Sequence, residues 1–198
     1  ESIIFFASRT GLEIDGMGKE TIESLIKFNL ISELEDIFNL KYEDLIKLPQ
    51  WEKRKASNLI TAIKKSIESP PSRLLTALGI RFIGKRTANL LIQNFGSIDD
   101  ILKAKDEQLE NIHGISSSVI NSLNNWKTVN KNIHTLNVLK QKGFVFEEVR
   151  KVTSSKISGK TFVITGTLQQ SNRQDFINTI EQYGCLLYTS DAADELCR

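Results

Sequence analysis

The chain has 198 residues, 40% hydrophobic and 25% charged, which is typical of a globular protein that folds in water. The net charge of +2 is too small to indicate a nucleic-acid partner by itself, so such a claim depends on where the basic residues lie. The two cysteines, Cys185 and Cys197, exclude a disulfide framework and a cysteine zinc site, and His113 and His134 lie too far apart to suggest a metal site. No apolar run reaches the roughly 18 residues of a membrane span, and there is no signal peptide, so we expect a cytoplasmic protein without a membrane partner.

A short pattern returns four times in the first 142 residues: an apolar residue, a tight turn that carries glycines, and a helix start. We call its copies the first (12–18), second (48–52), third (80–84) and fourth (112–116) hairpins. Their last positions recur at intervals of 34, 32 and 32 residues. A near-constant period indicates one supersecondary unit used repeatedly. We therefore predict a mainly α fold of tandem helical repeats over residues 1–142.

Apolar residues at helical spacing predict the longer helices of this region. These helices are predicted over 52–67, 84–95, 116–126 and 129–142, the last ending at Gly143.

Two short linking helices are predicted from capping signals. One covers 32–39, with a capping box from Ser32 to Glu35, and the other covers 97–103, with Ser97 as its cap. Prolines at 70 and 71 interrupt the helical run and divide the hairpins into two pairs.

The chemistry of the sequence changes after Gly143. Residues 143–157 are predicted to be a linker, with a possible strand over 144–149. A buried strand over 160–166 and a helix over 173–183 then predict a βα unit, which is the start of a small α/β domain over 158–184. Residues 185–198 do not continue the expected series of strands, and we assign them to an atypical tail without a function for its cysteines.

The hairpin followed by a helix start is a candidate phosphate site. The glycines let the chain turn tightly and approach a ligand without Cβ clashes, and the free amides and positive end of the next helix dipole attract anions. Basic residues at a helix N-terminus oppose the dipole by about 0.3–1 kcal/mol each, so their presence after three hairpins indicates a bound anion rather than merely solvated side chains. Such a contact involves the DNA backbone and not its bases. The candidate DNA-binding residues are Gly16, Gly18, Lys19, Lys53, Arg54, Arg81, Gly84, Lys85, Arg86, Gly114, Ser116 and Ser117.

The four copies are unequal. The first hairpin has both glycines, whereas the second has neither and carries Glu52, whose carboxylate repels phosphate. The third keeps Gly84 but has Phe82 at the other glycine position, and the fourth offers serine hydroxyls without charge. We predict that the first and third hairpins are the main phosphate-binding copies.

The order of these motifs resembles the C-terminal part of bacterial NAD-dependent DNA ligases, where helix-hairpin-helix repeats precede a BRCT domain. Residues 5–9 resemble the segment that leaves the family's zinc finger, so 1–10 would be a lead-in from a zinc finger that precedes this chain. Residues 12–18 and 75–84 resemble the first and third hairpins of the family, and 159–168 resemble the opening of its BRCT domain.

The resemblance implies non-sequence-specific binding of nicked double-stranded DNA, as part of an enzyme that seals nicks in replication and repair. The family's adenylation lysine lies in a Lys-x-Asp-Gly motif, which this sequence lacks. We therefore expect no catalytic, cofactor or metal residue in this fragment and no activity from it alone. The resemblance implies NAD, Mg²⁺ and Zn²⁺ only for a full-length family member, and we expect a monomer.

Two alternatives stay open at this stage. The chain could be a non-catalytic helix-hairpin-helix and BRCT module of another DNA-repair protein. It could also be an interaction scaffold in which Thr165 and Gly166 bind a phosphopeptide, although the same pair is an ordinary turn after a strand.

Overall fold

The computed structural model describes residues 2–49, 51–147, 161–164 and 186–189. The chain folds as two compact units, Glu1–Glu148 and Val149–Arg198. The described part of the first unit is helical and contains α1 (Ser2–Ala7), α2 (Lys19–Lys27), α3 (Tyr42–Leu45), α4 (Lys53–Ser66), α5 (Pro71–Ala77), α6 (Lys85–Phe95), α7 (Ile98–Lys103), α8 (Asp106–Glu110), α9 (Ser117–Lys127) and α10 (Asn130–Gln141), with a 3₁₀ helix over Leu34–Asn39.

The four longer helices predicted from periodicity, α4, α6, α9 and α10, begin and end within one residue of their expected bounds. Each buries the apolar stripe that defined it, and these stripes join one core. The core residues on these helices include Ala56, Leu59, Ile63, Ala88, Leu91, Ile92, Val119, Ile120, Leu123, Leu136 and Leu139. The mainly α fold with tandem repeats is confirmed.

Of the two linking helices, one has the predicted cap and the other has a different one. Ser97 caps α7 by accepting a hydrogen bond from the Asp100 amide at 3.0 Å, as predicted. The capping box from Ser32 to Glu35 is wrong, because the box joins Glu33 and Asp36 and opens a 3₁₀ helix.

Asp36 accepts hydrogen bonds from the Ser32 amide, the Ser32 hydroxyl and the Glu33 amide at 2.8, 2.9 and 2.8 Å. Burial raises the pKa of Asp36, but these three hydrogen bonds outweigh it and hold the pKa below its ordinary value of 3.8. The carboxylate therefore serves as the cap of the segment that precedes α3.

The proline pair separates the two pairs of hairpins, as predicted. α4 ends at Ser66, and Pro71 is the first residue of α5, where the missing amide of proline costs nothing. α5 is buried along most of its length and packs closely against α6. Gly143 follows α10 with a φ of 93°, which confirms it as the residue that stops this helix.

Residues 143–147 pack on the helical unit, whereas we expected a linker there with a possible strand. Phe144 and Phe146 are buried, and the Phe144 ring meets the Phe38 ring edge-on with centroids 4.9 Å apart. The Ile98 amide donates to the Phe146 carbonyl at 2.9 Å, and Glu147 forms an isolated bridge with Ser97. The first unit therefore extends to residue 148 and not to 142, because two phenylalanines complete its core.

The described part of the second unit is a pair of parallel strands, β1 (Thr161–Ile164) and β2 (Leu186–Thr189). β1 lies inside the predicted strand at 160–166. β2 lies in the segment that we assigned to an atypical tail, and its register places Thr161 opposite Leu186. The tail assignment is corrected to this extent, because its apolar run supplies a strand. The predicted helix over 173–183, the Thr165–Gly166 pair and both cysteines lie outside the described residues.

Within the described residues, no helix is both long and apolar enough to cross a membrane.

Candidate nucleic-acid interface

The four hairpins share one turn, closed each time by a hydrogen bond from the amide of the third residue after an apolar position. The residue that supplies this amide is the next-to-last residue of each hairpin, and we call it the anchor. It is buried in the first three copies and half-buried in the fourth, so it fixes the turn to the core. The amides of Met17, Trp51, Ile83 and Ile115 donate to the carbonyls of Ile14, Leu48, Ile80 and Ile112 at 3.0, 3.2, 3.0 and 3.1 Å.

The residue before each buried anchor takes the left-handed conformation wherever the structure describes it. Gly16, Phe82 and Gly114 have φ values of 82°, 67° and 95°. This conformation favours glycine, which explains Gly16 and Gly114 but not Phe82. The equivalent residue of the second hairpin, at position 50, lies outside the described residues.

The last residue of each hairpin is the N-cap of the following helix. Gly18, Glu52, Gly84 and Ser116 precede α2, α4, α6 and α9 in extended backbone conformations. Their carbonyls accept the first helical hydrogen bond, at 3.0, 3.0, 2.9 and 3.2 Å.

Among the described residues, none of these four N-caps satisfies the helix with its side chain. Ser116 has a hydroxyl suited to capping, but this hydroxyl forms no capping hydrogen bond with α9. Ser97, by contrast, caps α7 with its side chain. No described side chain therefore caps the first-turn amides at these four helix N-termini, which is where an anion binds, although in α9 the Val119 amide donates to the Ser116 carbonyl at 3.0 Å.

The glycines at the N-cap positions have no conformational reason to be glycine. Gly18 and Gly84 are extended, with φ of −71° and −90°, and a Cβ added to either would meet no described atom within 4 Å. Glu52 and Ser116 occupy the same position without distortion. Glycine costs backbone entropy on folding, so its presence here favours the close approach of a ligand. Sequence reasoning assigned turn formation to both glycines of the motif, but only the first of them forms the turn.

The predicted basic residues all lie exposed around these helix starts, but their surroundings differ. Lys19 pairs with Glu23 of its own helix at 3.8 Å, an exposed pair that water screens strongly. Lys85 and Arg86 have no ion-pair partner in the part of the chain that the structure describes, and the first turn of α6 contains no acidic residue. The third hairpin therefore presents the least compensated positive charge.

The second hairpin has three consecutive exposed cations after Glu52, and one of them also contacts the anchor of the hairpin. The Lys55 ammonium lies 4.6 Å from the centre of the Trp51 ring, a cation–π contact with the buried anchor of the same hairpin. Lys53 and Arg54 are exposed.

The structure brings the first and second hairpins together across one cleft. A Cβ on Gly16 would lie 3.8 Å from Leu59 Cδ1 of α4, which shows how closely the first turn approaches the helix after the second. The cleft between the first and second hairpins has a volume of about 390 Å³ and is lined by Asp15, Gly16, Glu52, Arg54, Lys55, Asn58 and Leu59.

The third and fourth hairpins approach each other in a similar way. A Cβ on Gly114 would lie 3.4 Å from Leu90 Cδ2 of α6.

The sequence did not identify Arg73, a residue of α5 that precedes the third hairpin. Its side chain forms hydrogen bonds to residues at and just before the beginning of the first hairpin. Its Nε donates to the Gly11 carbonyl at 2.9 Å, and its Nη2 lies 3.3 Å from the Arg9 carbonyl and 2.5 Å from Glu13 Oε2. Its partners lie about sixty residues away in sequence, so no local signal identifies them. Arg73 acts by positioning the hairpins and does not belong to the candidate interface.

A metal site does not form in the described part of the chain, where no three His, Cys, Asp or Glu side chains come together. The hairpins offer backbone amides, hydroxyls and cations, which suit the binding of an anion, and the second also carries the Glu52 carboxylate.

Family models match both halves of the helical unit. Residues 9–65 match a SAM-like helix-hairpin-helix tandem, and residues 73–136 match a helix-hairpin-helix motif. The division between the two matches falls at the proline break.

Curated relatives match nearly the whole chain. The chain is 40% identical over 185 residues to a DNA ligase of Syntrophomonas wolfei, covering 93% of this chain and 28% of that protein. It is 36% identical over 187 residues to a DNA ligase of Hydrogenobaculum sp. (94% and 26%), and 36% identical over 184 residues to a DNA ligase of Coxiella burnetii (93% and 27%). The chain thus spans about a quarter of the length of these relatives. With its tandem helix-hairpin-helix motifs and this similarity, the chain belongs to the bacterial DNA ligase family.

Proposed function

We propose that this chain is the part of a NAD-dependent DNA ligase that holds nicked double-stranded DNA while the enzyme seals the nick in replication or repair. It binds as a monomer in the cytoplasm, through backbone phosphates and without preference for sequence. The second unit is proposed to belong to a BRCT domain, which the parallel pairing of β1 and β2 supports. The relatives reported above are DNA ligases, which favours this function over that of a separate repair module.

The observation that carries the proposal is the pair of N-cap glycines, Gly18 and Gly84. Neither the backbone conformation nor the packing of the protein requires glycine at these positions. A phosphate oxygen that accepts from the first-turn amides would lie where a Cβ and a longer side chain would stand. The glycines therefore keep open the approach of a phosphate to the ends of α2 and α6.

The residues of the hairpins divide the binding between them. First-turn amides donate hydrogen bonds to phosphate oxygens at the four helix starts. The cations Lys19, Lys53, Arg54, Lys85 and Arg86 release counterions from the DNA. Gly114, Ser116 and Ser117 offer an uncharged contact in the fourth hairpin.

NAD, Mg²⁺ and Zn²⁺ are proposed as requirements of a whole family member. No metal-ligand cluster lies in the described residues, and we propose no part in nucleotide transfer for the hairpins. This chain contributes affinity and orientation by means of its own amides and cations.

The test is equilibrium binding of the full chain to a labelled nicked duplex across a series of salt concentrations. We expect log K to fall linearly with log salt, with a slope of about −0.9 for each phosphate contacted, and to be the same for duplexes of unrelated sequence. Gly18→Glu is expected to weaken binding to all of them equally. Binding that is undetectable, insensitive to salt, or confined to one sequence would contradict the proposal.

A further inference from the structure

Phe82 is the residue of the third hairpin that the phosphate contacts do not explain. It takes a φ of 67° at the position where the first and fourth hairpins carry glycine. A phenylalanine in this conformation is strained, because its Cβ crowds the backbone. Such strain persists only where the surroundings enforce it, and it is concentrated at functional sites.

The Phe82 ring also lies largely in water. It is 53% exposed, more than any other large hydrophobic side chain in the described part of the chain. The ring has no way inward, because Ile83 beside it is buried and its amide closes the turn to Ile80. The turn therefore holds an aromatic ring on the outside of the protein at the centre of a candidate interface.

Positive charge lies beside this ring and follows it in the chain. The Arg81 guanidinium lies 4.9 Å from the ring centre, and Lys85 and Arg86 begin the next helix. The whole stretch 79–87 contains no acidic residue. An apolar surface framed by cations is complementary to the sugar-phosphate backbone, in which apolar deoxyribose faces alternate with phosphates.

We infer that Phe82 is a DNA-contacting residue whose ring packs on a deoxyribose of the bound duplex, while Arg81 pairs with the adjacent phosphate. The inference rests on the proposed function and adds to it an apolar contact that the phosphate model lacks. Arg81 lies over one face of the ring, and the residue as a whole stays 53% exposed. Insertion between two bases requires both faces of a ring, so the position of Arg81 favours packing against a sugar.

The test compares Phe82→Gly with the unchanged full chain in binding to a labelled nicked duplex. Glycine removes the ring and relieves the strain, so we expect a melting temperature that is equal or higher, together with an affinity that is lower by about three- to tenfold. The salt slope should stay the same, because no charge is removed. Phe82→Asn tolerates the left-handed conformation and should behave in the same way, while Phe82→Tyr retains the ring and should retain the affinity.

Two controls separate this contact from the general binding of DNA. Phe28, 42% exposed at the far end of α2, is a matched aromatic residue away from the hairpins, and Phe28→Ala should leave the affinity unchanged. Arg81→Gln should lower both the affinity and the magnitude of the salt slope, the latter by about 0.9.

The inference is overturned if Phe82→Gly and Phe82→Asn bind DNA as tightly as the unchanged chain. The proposed function survives that result, provided that the unchanged chain shows salt-dependent binding which Gly18→Glu weakens. Loss of binding by the unchanged chain itself would instead reject both proposals together.

Discussion

The second and third hairpins form the same turn but differ in the charge that they expose at the N-cap. Both close with the same amide-to-carbonyl hydrogen bond, bury the anchor and begin a helix at the same place. At the N-cap the second carries Glu52 and the third Gly84, and within the described residues Lys85 and Arg86 of the third have no ion-pair partner. The turn is therefore maintained by its buried anchor and its hydrogen bond, so the outward residues can differ between copies without loss of the turn.

The sharpest test of this comparison is charge reversal at matched positions. Lys85→Glu combined with Arg86→Glu should lower DNA affinity by about a hundredfold, and Lys53→Glu combined with Arg54→Glu by about tenfold or less, since Glu52 already weakens the second site. Binding to a nicked duplex measures both, and circular dichroism checks that each variant folds. Equal losses at the two hairpins would remove the distinction between them.

Exchange of the N-cap residues should partly convert one hairpin into the other. Glu52→Gly removes a carboxylate from a proposed phosphate site and should raise DNA affinity by about three- to tenfold, while Gly84→Glu should lower it by a similar factor. Both variants should melt close to the unchanged chain, because both positions are extended and exposed. An N-cap exchange that alters stability but not affinity would show that these residues serve only the fold.

Loss of the Arg73 hydrogen bonds should lower the stability of the helical unit, because they join α5, the helix before the third hairpin, to the first hairpin. Arg73→Met keeps an unbranched apolar stem but removes the hydrogen bonds to Gly11 and Glu13, and should lower the free energy of unfolding by about 1–3 kcal/mol. Urea unfolding measures the change. Arg54→Met is the matched control on an exposed arginine, and it should leave the free energy of unfolding within about 0.5 kcal/mol.

The smallest expected effect concerns the 3₁₀ helix that packs against α4, the helix of the second hairpin. The pKa of Asp36 is lowered in the folded chain, so its carboxylate stabilises the fold above its unfolded pKa and loses this effect as the pH falls through the folded value. Asp36→Asn should therefore cost about 0.5–1 kcal/mol at pH 7 and progressively less below about pH 4. Urea unfolding at pH 7 and pH 3 measures the difference, and a cost that does not depend on pH would contradict this role.

Four helices were predictable from sequence because each keeps an apolar stripe, and three of them, α4, α6 and α9, also begin directly after a hairpin. All four, including α10, begin and end within one residue of their expected bounds. Ser97 was recognised as a cap because its partner lies three residues away. Local chemistry of this kind acts over a single turn and can be identified without the rest of the fold.

Features that depend on distant partners were not predictable. Residues 143–147 were predicted to be a linker because their packing partner, Phe38, lies more than a hundred residues earlier in the sequence. The choice of Asp36 over Glu35 depends on the 3₁₀ geometry that the core imposes on this segment. Arg73 finds its carbonyl acceptors on another repeat, and the left-handed backbone of Phe82 breaks the preference that a sequence-based prediction relies on.

The repeated turn hydrogen bond has a consequence for how such a chain changes over time. A duplicated hairpin that keeps its buried anchor and its closing bond keeps its shape, so its solvent-facing positions can accumulate substitutions without loss of the fold. The four copies differ in this way, since they end in glycine, glutamate, glycine and serine. We therefore expect that the outward residues of one copy can be transferred to another to raise or lower its positive charge.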